Sequence, residues 1–244
     1  MNHIIKAIIG FCLELLYPKR CVVCDNVLSK IEKDVGICKK CSTKIKLVGK
    51  DYCMKCGGPL ADKTEEYCVN CKNNPHIYNQ AKAVFRYTGD MKNSMYRFKY
   101  ANKRCYGKVY GRFAAKQYAG WMKAKGIEAI IPVPMYEKKK RRRGYNQAEV
   151  FAKALSEFTG IPVQNEIVRR ESETIAMKQL NRLKRKKNLL KAFILAENVV
   201  QFRKVLIVDD IYTTGTTIDE VAKVLKAGGV KEVYGMCVCI GEMQ

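Results

Sequence analysis

Apolar and polar positions along the chain follow two different regimes that meet near residue 75. From Ala81 onward, apolar runs alternate with helical patterns. Ala81–Tyr87 reads as a strand, Met91, Met95 and Phe98 share one helical face, and Tyr110, Phe113, Ala114, Gln117, Tyr118 and Trp121 trace a second helix. Ala129-Ile130-Ile131 is a short buried strand stopped by Pro132-Val133-Pro134. Ala148, Phe151, Ala152, Leu155 and Phe158 predict the helix behind it. Val205-Leu206-Ile207-Val208 is apolar at every position, as expected of a central parallel strand covered on both faces. Ile218, Val221, Ala222 and Leu225 mark the buried face of a helix that ends at Gly228-Gly229, and Val233–Ile240 is a last strand. Strands alternating with helices predict an α/β domain over residues 76–244.

Ahead of that domain the pattern changes. Ile4, Ile5, Ile8, Ile9, Phe11, Cys12, Leu15 and Leu16 fit an amphipathic helix within residues 1–20. The stretch is shorter than the roughly 20 apolar residues a bilayer requires and is interrupted by Lys6 and Glu14, so we expect it to pack on the protein, with no membrane span. Residues 21–75 carry four CxxC pairs: Cys21/Cys24, Cys38/Cys41, Cys53/Cys56 and Cys68/Cys71. This is the ligand spacing of structural zinc sites, and it predicts two zinc ions, each closed by four thiolates with no open position for chemistry. Such a site contributes about 10–16 kcal/mol to folding. Sequential pairing and a cross-braced arrangement are both compatible with the spacing. A thioredoxin-like redox role fits poorly, because that chemistry uses one pair at a helix start. No cleavable secretory signal is evident, which points to a reducing, cytoplasmic compartment. Cys12, Cys105, Cys237 and Cys239 lie outside the pattern and are expected to fill core space.

Composition sharpens this picture in one respect. The 244 residues are 48% hydrophobic and 28% charged, which excludes a disordered chain, a collagen-like fibre and a multi-span membrane protein. Lys and Arg outnumber Asp and Glu by 46 to 23, a net charge of +23 that favours polyanionic partners. The densest runs are Lys138, Lys139, Lys140, Arg141, Arg142 and Arg143, then Arg182-Leu183-Lys184-Arg185-Lys186-Lys187. The first is a candidate contact for nucleic acid or pyrophosphate, with Tyr96, Tyr100, Tyr136 and Tyr145 as candidate stacking residues.

The most specific chemistry follows the central strand. Asp209 and Asp210 are followed by Thr213, Thr214, Gly215, Thr216 and Thr217 at the start of a helix, at the carboxyl edge of the sheet where open α/β folds bind ligands. Backbone N–H groups and hydroxyls there can cradle a phosphate monoester, and the two acids suit sugar hydroxyls or a cation beside it. Neither a P-loop nor a dinucleotide fingerprint occurs. A receiver domain also places paired acids after a strand, but it needs a later lysine on further strands, and too little chain follows Asp210. A merely capped helix is the remaining alternative.

Val205–Thr217 resembles the type I phosphoribosyltransferase signature, which binds phosphoribosyl pyrophosphate (PRPP). Together with Ile131-Pro132-Val133-Pro134, Arg141–Glu149 and the four CxxC pairs, it resembles the ComF family over nearly the whole chain. The resemblance implies a zinc-ribbon-like module joined to a phosphoribosyltransferase-like parallel sheet with helices on both faces. It also implies cytoplasmic handling of single-stranded DNA in natural transformation, possible contacts with other competence proteins, and PRPP bound with Mg²⁺. By the same resemblance Asp209 and Asp210 take the ribose hydroxyls, Thr213–Thr217 the phosphate, and Val133, Pro134 and Met135 the pyrophosphate. Arg170, Thr174, Leu180, Arg185 and Asn188 resemble the family's mobile loop, in which Met177 replaces the usual glutamine. No amino-terminal glutaminase cysteine is present. Turnover, if it occurs, is displacement at the anomeric carbon through an oxocarbenium-like transition state. An enzyme of nucleotide metabolism with no DNA role is the alternative reading.

Overall fold

The structure, a computed structural model, describes residues 17–171, 192–196 and 201–241. The expected helix over Ile4–Leu16, Cys12, the loop positions Thr174, Met177, Leu180, Arg185 and Asn188, and the basic run 182–187 lie outside the described residues.

Two short helices, α1 (Lys39–Ser42) and α2 (Val69–Asn73), start at Cys38 and Cys68 respectively. The chain then runs β1 (Gln80–Arg86), α3 (Gly89–Tyr100), α4 (Tyr106–Lys125), β2 (Ala129–Pro132), α5 (Glu137–Arg143) and α6 (Gln147–Thr159). It continues through β3 (Val168–Arg170), β4 (Phe193–Leu195), β5 (Lys204–Tyr212), α7 (Thr216–Ala227) and β6 (Glu232–Ile240). Four strands form a parallel sheet in the order β1–β6–β5–β2, while β3 and β4 form a separate antiparallel pair.

Strand periodicity divides the core into two layers. Leu206, Val208, Met236 and Val238 face a cluster built by α3, α4 and α6, whereas Val205, Ile207, Val233 and Cys237 face α7 and the β3–β4 pair. Helices therefore cover both faces, as the unbroken apolar run of β5 requires. The alternation reverses at the acids: Ile211 packs with the first cluster and Tyr212 with the second. Helices α4 and α6 approach closely because Gly111 leaves no side chain between them; a Cβ there would lie 2.6 Å from that of Ala154.

The segment joining the two cysteine clusters lies along the outer edge of β1. Val48 N–H donates to Val84 O at 3.0 Å, and Arg86 N–H donates to Lys46 O at 2.8 Å. At the opposite edge, Ile130 N–H donates to Pro162 O at 2.8 Å and Gln164 N–H to Ile130 O at 2.9 Å. Both flanks of the sheet are thereby hydrogen-bonded to irregular backbone.

Three side chains depart from the sequence expectation. Cys105 is exposed rather than core, because it precedes the first turn of α4 at the surface. Phe158, on the last turn of α6, is 40% exposed, with the Arg112 guanidinium 5.7 Å from its ring centroid. Tyr145 is buried, its hydroxyl donating to Phe98 O, so it is not available for stacking on a ligand. Cys237 and Cys239 are buried in β6, as the apolar pattern there suggests.

Candidate functional site

The eight cysteines form two clusters, Cys21/Cys24/Cys38/Cys41 and Cys53/Cys56/Cys68/Cys71, each with its ligand atoms within 4.8 Å of one another. Pairing is thus sequential, which settles the choice that spacing left open. Cys24 and Cys38 Sγ are 3.8 Å apart, as are Cys56 and Cys68 Sγ. A zinc tetrahedron with Zn–S near 2.3 Å has an edge of about 3.8 Å, so the thiol sets fit that ion. Amide N–H groups support the sulfurs: Val23 and Cys38 donate to Cys21 Sγ, and Gly58 donates to Cys56 Sγ, each at 3.4 Å.

Each cluster is anchored to a different part of the sheet domain. At the first, Ser94 and Arg97 of α3 hydrogen-bond Val22 O and Val23 O, and Lys103 pairs with Asp25 at 2.8 Å. At the second, the linker leaving Cys71 delivers His76 to α7. His76 Nδ1 lies 2.7 Å from Asp219 Oδ2, and Ile77 N–H donates to Asp219 Oδ1 at 2.8 Å. The His76 ring stacks on Tyr78, whose hydroxyl is 2.6 Å from that of Tyr212.

These contacts form the floor of the loop from Thr213 to Thr217. Gly215 has φ +76°, in the left-handed region, and a Cβ added there would lie 2.7 Å from His76 Cε1. Thr214 and Thr216 hydroxyls are 2.9 Å apart, and α7 starts at Thr216, so its first turn presents amide N–H groups without intrahelical partners. A small concavity is lined by Asp209, Thr213, Gly215 and Thr217, and a neighbouring one by His76, Thr214, Thr216 and Lys223.

Asp209 and Asp210 lie near the carboxyl end of β5 at the same edge. Asp210 N–H donates to Asp209 Oδ1 at 2.8 Å. Burial, reinforced by the charge of Asp210, raises Asp209 to about 7. Asp210 instead pairs with Lys99 of α3 at 2.9 Å, with side chains only 16% and 20% exposed. Burial opposes the charge on Lys99, but the Asp210 and Asp209 carboxylates outweigh it and raise its pKa. Lys99 thereby places a positive charge against the acid pair.

Val133, Pro134 and Met135 follow β2 beside this centre: Val133 N–H donates to Val208 O at 2.9 Å, and Asn146 Nδ2 donates to Val133 O at 2.9 Å. The basic run lies in helix α5, which divides its charges. Lys138, Arg141 and Arg142 are exposed, whereas Lys139, Lys140 and Arg143 are half-buried. Lys140 pairs with Glu149 at 2.8 Å, and Lys139, with its pKa lowered by burial and by Arg143 and Arg170, lies within the field of Asp210. Lys99 and His76 escape the sequence reading. One is a lysine among many, 111 residues before Asp210; the other is one of two histidines, a scarcity that could have drawn attention.

A family model described as a double zinc ribbon domain matches residues 12–72, and one described as a phosphoribosyl transferase domain matches residues 141–243. Competence protein F of Haemophilus influenzae is 34% identical over 219 residues, covering 88% of this chain and 93% of that protein. The chain belongs to the ComF family. The DNA utilization protein YhgH of Shigella flexneri is 30% identical over 207 residues, covering 84% of this ComF chain and 90% of its own. Among solved structures, a purine phosphoribosyltransferase from Pyrococcus horikoshii aligns with 52% of this chain and 69% of its own at 19% identity and a TM-score of 0.34. The ComF architecture is thus a phosphoribosyltransferase-like parallel sheet with helices on both faces, preceded by two four-cysteine ribbons. Among the described residues, no helix is long and apolar enough to cross a membrane.

Proposed function

We propose that this ComF protein binds PRPP with Mg²⁺ and acts in DNA uptake during natural transformation by handling single-stranded DNA in the cytoplasm. The observation that carries the reading is the convergence of a carboxylate pair and an N–H-rich helix start at one sheet edge. The loop Thr213–Thr217 suits the 5′-phosphate. Asp209 and Asp210 suit the ribose hydroxyls, and the backbone of Val133, Pro134 and Met135 suits the pyrophosphate. Hard oxygen donors at Asp209 and Asp210 are compatible with Mg²⁺, which when bound with PRPP neutralises pyrophosphate charge. The DNA role draws support from the competence and DNA-utilization names of the relatives, from the +23 charge and from the exposed cations Lys138, Arg141 and Arg142. Other competence proteins are further candidate partners.

Calorimetric titration of PRPP with Mg²⁺, with and without single-stranded DNA, tests the reading. Wild-type protein binds PRPP, and a double Asp209→Ala, Asp210→Ala variant loses at least tenfold in affinity. Equal affinity in the two proteins removes the pocket from consideration. An active phosphoribosyltransferase with an unidentified acceptor and no DNA role is a second reading, favoured by the intact acid pair and loop. Release of pyrophosphate with a candidate acceptor, together with indifference to DNA, selects it.

A further inference from the structure

The carboxyl-terminal turn of α3 serves two environments at once. Lys99 points into the acid pair, while Tyr96 and Tyr100, one turn apart, point outward with 62% and 58% exposure. Their ring centroids are 5.0 Å apart, and the Arg143 guanidinium lies 4.8 Å from the Tyr100 centroid. Two large aromatic rings at neighbouring helix positions are thus left more than half exposed. An arginine laid over one of them, held by Gln147 Oε1 at 2.6 Å, keeps the platform in place.

We propose that Tyr96 and Tyr100 form a stacking platform for unpaired bases of a nucleic-acid strand, whose phosphates are taken by Arg143 and the outward cations of α5. Flat aromatic faces interleaved with cations match the alternation of bases and phosphates in a single strand; in a duplex the same faces are hidden in the stack. An acidic peptide offers the charges but no ring to stack, and the platform would be idle against it. Lys99, on the same turn of α3, pairs with Asp210, so the platform adjoins the carboxylate centre. The inference rests on the DNA reading above and adds the residues and the class of strand.

The test is fluorescence anisotropy of a labelled oligothymidylate of about 15 nucleotides, within the usual site size, on the full chain. Proteins compared are wild type, Y96A/Y100A and Y96F/Y100F, with circular dichroism melting to verify folding. Loss of one or two stacked bases should weaken binding by roughly ten- to a hundredfold in the alanine variant. The phenylalanine variant should bind like wild type, the salt slope should stay unchanged, and affinity for a duplex of the same length should be unaffected. Wild-type binding that the alanine pair leaves intact overturns the platform and leaves the DNA reading standing. Equal loss in the phenylalanine variant overturns stacking in favour of the hydroxyls. Equal loss on duplex, or poly-glutamate displacing the strand from all three proteins alike, reduces the surface to a generic cationic patch. Failure of wild type to bind any strand removes the DNA reading itself.

Discussion

Gly215 is the residue whose replacement reads out most directly. Its left-handed φ and the nearby His76 ring leave no room for a Cβ, so Gly215→Ala strains the loop as well as the backbone. We expect a loss of about 1–3 kcal/mol in thermal stability and at least tenfold weaker PRPP binding, measured by calorimetry. Asp209 makes a pH prediction. Its carboxyl is raised by burial and by Asp210 from 3.8 to about 7, so the folded state holds a proton that the unfolded chain releases at lower pH. The associated stability is present below about pH 4 and is lost as pH rises through 7. Asp209→Asn keeps the hydrogen-bonding shape without the charge. It should match wild type near pH 4 and exceed it by up to about 4 kcal/mol at pH 8 in chemical denaturation. The acids and the threonine loop were legible because they are contiguous in sequence. Lys99 and His76 were not, because each meets its partner only after the chain has crossed the sheet, and neither sits in a distinctive local pattern.

At the level of elements, the ribbons act as braces rather than appendages. The first is bonded to α3 through Ser94 and Arg97, and the second reaches α7 through His76. Metal removal with a chelator should therefore lower the melting temperature and weaken PRPP binding together. Cys56→Ser is expected to weaken PRPP binding more than Cys24→Ser at equal zinc occupancy of the remaining site, because only the second ribbon's linker holds Asp219. Calorimetry on both variants, with zinc content measured, checks this order. The strands and helices of the sheet domain were readable from periodicity, including the doubly buried β5. Two features were not. The four cysteine pairs have nearly even spacing, so sequence alone cannot say which pairs share an ion. A run of six cations gives no apolar phase, so the helical form of α5, and the division of its charges between solvent and the acid centre, becomes visible only in three dimensions.

For the whole molecule, the surplus of 23 positive charges matters through where it is exposed. Replacing Lys138, Arg141 and Arg142 by Gln should flatten the plot of log affinity for single-stranded DNA against log salt by about 2, the slope of three phosphate contacts. PRPP affinity should be nearly unchanged, since these side chains face away from Asp210. The flanks of the sheet carry a different implication. Backbone from Lys46–Val48 occupies the outer rungs of β1, and backbone from Pro162–Gln164 occupies those of β2. Among the described residues, neither border of the four-stranded sheet offers a row of vacant amides, so a visiting peptide has no free edge there to extend as an additional strand. At this sheet, recognition is left to side chains on the rim and on the helical faces, which makes association there sensitive to ionic strength and to single substitutions rather than to main-chain complementarity.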